Sequence, residues 1–218
     1  MSAEVPANSN APSSPEAAEP ERSAGLRSVG LWTLIREDLA AHGGDWHRPG
    51  FRALVAYRFG VWRMGVRPKL LRAPLSVLYR WMFRRACWKY GIELPYSSRI
   101  GRRVVFEHQH GIVIHGSAEI GDGCVLRQGV TLGNRREDRP FDAPILGRNV
   151  NVGAGAKILG KIRVGDGAHV GANAVVVHDV APAATVVGIP ARPVGGVETA
   201  GVESGKGGDD LGGLRVVR

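Results

Sequence analysis

The densest group of residues able to move protons or hold a metal in this 218-residue chain is Glu107-His108-Gln109-His110, with His115 close behind. An imidazole titrates near pH 6.5 in water, so it can exchange protons at neutral pH, and its neutral nitrogen also ligates metals. A zinc site with an open position needs three protein ligands. His110 and His115 could supply two of them, and no metal is expected. Cys87 and Cys124 stand in no metal-ligand spacing and read as reduced packing thiols of a cytoplasmic protein.

The elements around these residues follow an unusual period. From Ile112 every sixth residue is small or aliphatic, through Ala118, Cys124 and Val130. The register resumes with Val150, Ala156, Ile162, Ala168, Ala174, Val180 and Val186. A second apolar residue follows two places later at most of these, as at Ile114, Leu126, Val152 and Val170. Helices repeat every 3.6 residues and strands every two, so a period of six fits neither. It predicts a parallel β-helix whose coils have three flat faces, each hexapeptide making one short strand and one corner. A narrow core favours small side chains and glycine corners, which accounts for 31 glycines and an aromatic share of only 6%. Such coils are expected to wind left-handed, against the usual crossover preference. Their flat faces favour a homotrimer or a dimer of trimers.

Two departures from the period point to function. Eight residues rather than six separate Val104 from Ile112, so Glu107–His110 should bulge from the coil. A polar loop, 134–147, interrupts the repeat and is expected to wall a binding pocket.

Upstream, Leu31 to Tyr90 has helical apolar spacing broken at Gly43-Gly44, Pro49-Gly50 and Gly65 to Pro68. The expected organisation is mainly β with α: a tail over 1–26, a helical domain over 27–92, a left-handed parallel β-helix over 93–195, and a second tail over 196–218. Both tails have compositions expected to stay flexible. The N-terminus lacks a basic start followed by an apolar core, so no secretory signal is expected. The net charge of +9 is concentrated in residues 27–90, where 13 Lys and Arg face Glu37, Asp38 and Asp45. Nucleic-acid module signatures are missing, so no nucleic acid is expected. The basic lobe is either a solvated face or a peripheral contact with an anionic membrane.

The chain resembles the serine O-acetyltransferases of the hexapeptide-repeat acyltransferases. The likeness rests on Gly50 to Arg58 (GFRALVAYR), Glu107-His108, His110-Gly111-Ile112-Val113, Gln128 to Gly133 (QGVTLG), Val152 to Gly160 (VGAGAKILG) and Gly188 to Arg192 (GIPAR). It implies transfer of an acetyl group from acetyl-CoA, as co-substrate, to a hydroxyl, with His108 as the general base. It places Glu93 at the family's ring-orienting aspartate and Glu107 at an aspartate that meets the acceptor. Asp45 resembles the acid that holds the substrate amine, and it also reads as a turn residue. Gly133, Asn134 and Ala154 would line the pantetheine arm, while Lys157, Lys161 and Arg192 would meet the CoA phosphates.

The resemblance has gaps. The family's second histidine, which contacts the acceptor carboxylate, falls on Ala143 in a gap-free alignment, leaving Arg139 as a substitute charge. Sugar O-acetyltransferases share fold, donor and base, and they stay open as an alternative. A non-catalytic membrane-surface scaffold is a further one. His110 and His115 are similar to a zinc pair of γ-type carbonic anhydrases, but the third ligand is missing. The end Val216-Val217-Arg218 lacks the isoleucine that some family members dock into the next enzyme of cysteine biosynthesis, so no complex with O-acetylserine sulfhydrylase is expected.

Overall fold

The structure, a computed structural model, describes residues 29–194; the expected tails and Val216–Arg218 lie outside them. Among the described residues three helices come first: α1 (Leu31–Ala41), α2 (Pro49–Arg63) and α3 (Lys69–Arg85), the last running on into a π-helical turn at Ala86–Tyr90. Their breaks coincide with the glycines and prolines seen in the sequence. Gly43 and Gly44 both take positive φ after α1, Pro49 starts α2, and Gly91 closes the π turn in the left-handed region. None of the helices described is long and apolar enough to cross a membrane.

Fifteen short strands follow, stacked as three sheets. The first face carries β1 (Ile92–Glu93), β4 (Ile112–Ile114), β7 (Thr131–Gly133), β10 (Lys157–Leu159) and β13 (Val175–Val176). On the second lie β2 (Arg99–Ile100), β5 (Glu119–Ile120), β8 (Ile145–Leu146) and β11 (Arg163–Val164). The third carries β3 (Val105–Phe106), β6 (Val125–Leu126), β9 (Asn151–Val152), β12 (His169–Val170), β14 (Thr185–Val187) and β15 (Arg192–Val194). All pairings are parallel except that of β15, which turns back antiparallel on β14.

The pairing steps measure each coil. Val113 pairs with Thr131 and Lys157 with Val175, steps of 18, or three hexapeptides. Ile92 pairs with Ile112, Arg99 with Glu119 and Val105 with Val125, all steps of 20. The two extra residues common to those steps lie between Phe106 and Ile112, where the sequence predicts the bulge. Thr131 pairs with Lys157 and Glu119 with Ile145, steps of 26, so the second excursion is eight residues long. It closes at Pro144, because Ile145–Leu146 are already back in the sheet as β8. The register position there is Pro144, which hides the strand from a search for small aliphatic residues.

All eleven repeat positions are buried, from Ile112 (0% exposed) to Ile162 (9%). The repeat also starts one coil earlier, with Ile92, Ser98 and Val104 in register and Leu94, Ile100 and Phe106 as their apolar seconds. Ser98 breaks the apolar pattern, and Phe106 places a ring in the core that the later coils exclude. Cys124 is a packing thiol: its S–H points at the Gly147 carbonyl, 3.1 Å away, and burial pushes its pKa up to about 11.

A stack of coils ends in unpaired strand edges, and the helical lobe covers those of β2 and β3 at the first coil. On β2, the Tyr57 hydroxyl donates to the Ser98 carbonyl (2.8 Å) and accepts from the Ile100 N–H (3.0 Å). Arg58 donates to the carbonyls of Ile100 and Gly101 while pairing with Asp38 of α1, Nε to Oδ2 at 2.8 Å. At β3, α2 sits so close that a Cβ on Gly50 would lie 2.0 Å from the Phe106 oxygen. Next to β1, the carbonyls of Tyr90 and Gly91 accept the N–H groups of His110 and Ile112.

Candidate active site

The two-residue excursion is held at its ends and free in its middle. Glu107 N–H donates to the Leu126 carbonyl (2.8 Å), His110 N–H to Tyr90 (2.7 Å), and Gly129 N–H to the His110 carbonyl (3.0 Å). Between these anchors the backbone turns left-handed: φ is 65° at His108, 76° at His110 and 71° at Gly111. Positive φ at residues other than glycine is uncommon and gathers at functional sites, where surrounding structure enforces it. Here the enforcing contacts come from both sides. A Cβ on Gly91 would sit 2.9 Å from His110 Cα, and Gly50 presses on Phe106. His108 and Gln109 are left exposed on the outside of a sealed prism.

Glu107 is half-buried beside them, its Oε2 3.0 Å from Arg127 Nε. Arg127 in turn donates from Nη1 to Asn151 Oδ1 at 2.6 Å. The three residues sit on successive coils: Arg127 follows Glu107 by the step of 20 that sets the sheet there, and Asn151 pairs with Val125, two residues before Arg127. A ladder of side chains thus anchors the Glu107 carboxylate at the edge of the excursion. Sequence reasoning missed Arg127; the extra pair in the repeat was the available signal, since it aligns 107 with 127.

A second residue it missed is His42, at the end of α1. The ring is fully buried, tilted against Phe51 with centroids 6.0 Å apart. One nitrogen, Nδ1, bonds the Asp38 carbonyl (2.7 Å) and Nε2 has no partner. Burial pulls its pKa below the ordinary value, opposed by the Asp38 carbonyl contact and by the negative charges of Asp38 and Glu107.

The other expected site residues are placed as follows. Glu93 lies exposed on β1, opposite Val113, and among the described residues no ion pair joins it to His108. Its charge reaches Cys87, whose pKa is raised by burial first and by Glu93 second. Asp45 accepts from the His47 N–H at 2.8 Å and forms a turn there, 3.5 Å from the His47 ring nitrogen. Arg139 faces Asp142 of its own loop, 3.9 Å away, and Arg136 clasps Asp138 with two bonds of 2.8 Å. Ala143 is buried, so its position presents no side chain to an acceptor.

Of the residues expected to line the donor, Gly133 ends β7 and its carbonyl takes the Gly160 N–H at 2.9 Å. Asn134 turns its amide onto the Arg136 carbonyl (2.9 Å), and the Ala154 carbonyl takes the Asn173 N–H (2.8 Å). Lys157 donates to the Gly129 carbonyl, whereas Lys161 and Arg192 are exposed. His115 accepts from the Ser117 N–H at 3.1 Å, and among the described residues no three His, Cys, Asp or Glu gather as metal ligands.

Known proteins resemble this arrangement. Residues 143–178 match the family described as bacterial transferase hexapeptide (six repeats). The serine acetyltransferase of Helicobacter pylori strain J99 is 37% identical over 171 residues, covering 77% of this chain and 95% of that protein. That of Synechococcus elongatus is 40% identical over 146 residues, 67% of this chain; the chain spans only 57% of its length. Among solved structures, the Neisseria gonorrhoeae serine acetyltransferase superposes with a TM-score of 0.65 at 30% identity, covering 79% of this chain and 68% of that one. The Brucella abortus serine acetyltransferase in complex with coenzyme A gives 0.65 at 26% identity, covering 79% and 71%. Such neighbours have an N-terminal helical region and a left-handed β-helix, the architecture expected from the sequence. By these likenesses the chain belongs to the serine acetyltransferase family.

Proposed function

We propose that this protein transfers the acetyl group of acetyl-CoA to the hydroxyl of L-serine, releasing O-acetylserine and CoA, with His108 as general base. The observation that carries this reading is the strained excursion, which lifts His108 out of a sealed coil next to an anchored carboxylate, Glu107. In the reaction the imidazole takes the hydroxyl proton as the oxygen attacks the thioester carbonyl carbon. The C–S bond then breaks, and the imidazolium returns the proton to the departing thiolate. Glu107 holds the acceptor, and the Arg127 ion pair keeps its carboxylate in place. Glu93 serves as the ring-orienting carboxylate once subunits assemble. Gly133, Asn134 and Ala154 flank the pantetheine arm, and the exposed Lys161 and Arg192 are better placed for CoA phosphates than Lys157, whose ammonium is occupied. Asp45 contacts the acceptor only if its turn opens.

The setting we propose is a cytoplasmic homotrimer, alone or as a dimer of trimers, acting in cysteine biosynthesis. A second reading, acetylation of a sugar hydroxyl, is favoured by one feature. The loop over 134–144 offers no histidine, buries Ala143 and pairs Arg139 with Asp142, so its free charge for a carboxylate is small. Thiol release from acetyl-CoA, followed with serine, homoserine and a sugar panel, decides between them. Serine giving the highest kcat/KM supports the first reading; a saccharide giving it by about tenfold or more overturns it.

A further inference from the structure

The outward side of α3 carries apolar residues that nothing among the described residues covers. Leu70 is 89% exposed and Trp88, in the π turn, 82%. Leu71, Pro74, Val77, Leu78 and Trp81 are exposed between them. Residues 70, 74, 77, 78 and 81 recur at three- and four-residue steps, so they share one side of the helix. The opposite side is apolar as well: Tyr79 is buried against Gly60 and edge-on to Tyr96, with Phe83 beside it. A helix apolar on both sides is stable only when both are buried. Something therefore seats on the outer stripe, which runs for roughly 25 Å.

Charge selects the occupant. Residues 67–89 contain Arg67, Lys69, Arg72, Arg80, Arg84, Arg85 and Lys89, and no Asp or Glu; the nearest acids in sequence are Asp45 and Glu93. Among the described residues none of the seven cations forms an ion pair, and Arg85 lies over the Trp81 ring at 5.7 Å. A second copy of this face would bring like charges together, which is destabilising. Nucleic acid would satisfy the cations but leave the Leu and Trp stripe in water. An anionic lipid surface satisfies both, with the ring edges at headgroup level, the aliphatic tips among the acyl chains and the cations on phosphate. An apolar cavity of about 870 Å³ continues the same side through Trp81 and Met82 to Trp32, Val55 and Phe59.

We propose that α3 docks the helical lobe on anionic phospholipid membranes, lying in the interface plane and leaving the coils and the His108 excursion in the aqueous phase. The test is co-sedimentation of the full chain with phosphatidylcholine vesicles and with vesicles also containing phosphatidylglycerol, at low and high salt. Binding confined to the anionic vesicles, weakened at least about tenfold by salt, supports docking. The same loss is expected for Trp81→Ser/Trp88→Ser and for Arg84→Glu/Arg85→Glu, with thiol release in solution unchanged. Equal binding to both vesicle types, or none to either, overturns the proposal without touching the catalytic reading. So does a drop in oligomer mass in the Trp81→Ser/Trp88→Ser variant without any vesicle binding, which would make the stripe a contact between copies.

Discussion

At the scale of single residues, the features that stand out are those that violate a local rule. His108 and His110 adopt φ values that a side chain resists, Glu107 is a half-buried carboxylate, and His42 is a fully buried ring with one unpaired nitrogen. The last has a measurable consequence. Because burial lowers the His42 pKa in the folded state, the unfolded chain binds the extra proton first as pH falls. The native state is thus fully stabilised above the unfolded value near 6.5 and loses stability as pH drops through it. Asp38, Arg48 and Glu107 face the ring electrostatically and set the size of the loss. Glu37, held low by its bond to Arg102, acts in a separate window below the ordinary carboxylate range. Thermal melts should show Tm falling between pH 7 and pH 5.5, and His42→Gln should flatten that fall; an unchanged slope in the variant would assign it elsewhere. His108 itself was legible in the sequence, through its position in the extra pair. His42 and Arg127 were not, since their roles depend on side chains from separate elements meeting across the fold.

At the scale of elements, the joint between helices and coils determines where the site lies. Tyr57 and Arg58 of α2 supply the hydrogen bonds that β2 would otherwise lack, and Asp38 neutralises Arg58 in a bridge whose side chains are at most 3% exposed. Removing one charge from such a buried pair leaves the other uncompensated, at about 3–5 kcal/mol. Asp38→Asn should therefore lower stability by that order in denaturant titration. Asp138→Asn, breaking the exposed Arg136 pair, should have no measurable effect. Loss of stability in the second variant but not the first would reverse this ranking. The helices themselves could be read from spacing and their breakers. The register of the first coil and the strand β8 were hidden because Ser98 and Pro144 occupy register positions with residues a six-residue search rejects. The closing β15 was hidden because an antiparallel return strand carries no trace of the repeat.

At the scale of the whole molecule, one chain presents His108 on an open surface. Glu107 is fixed beside it, while Glu93 remains apart on the first face. Flat parallel faces are suited to packing against copies of themselves, and a cleft closed by a neighbouring subunit would bring water exclusion and further contacts to the exposed ring. The repeat, the coil geometry and the excursion were all legible from spacing, because stacking makes each coil report on the next. The conformation of loop 134–144 was less so, because it follows its own ion pairs rather than the period.

The central claim is that the expelled imidazole carries the proton of the reaction. Thiol release from acetyl-CoA with the preferred acceptor, measured for the wild type and for His108→Ala, tests it most directly. A fall in kcat of about 10²–10⁴-fold, with unchanged circular dichroism and CoA affinity, is the predicted result. A variant that turns over at the wild-type rate would contradict it.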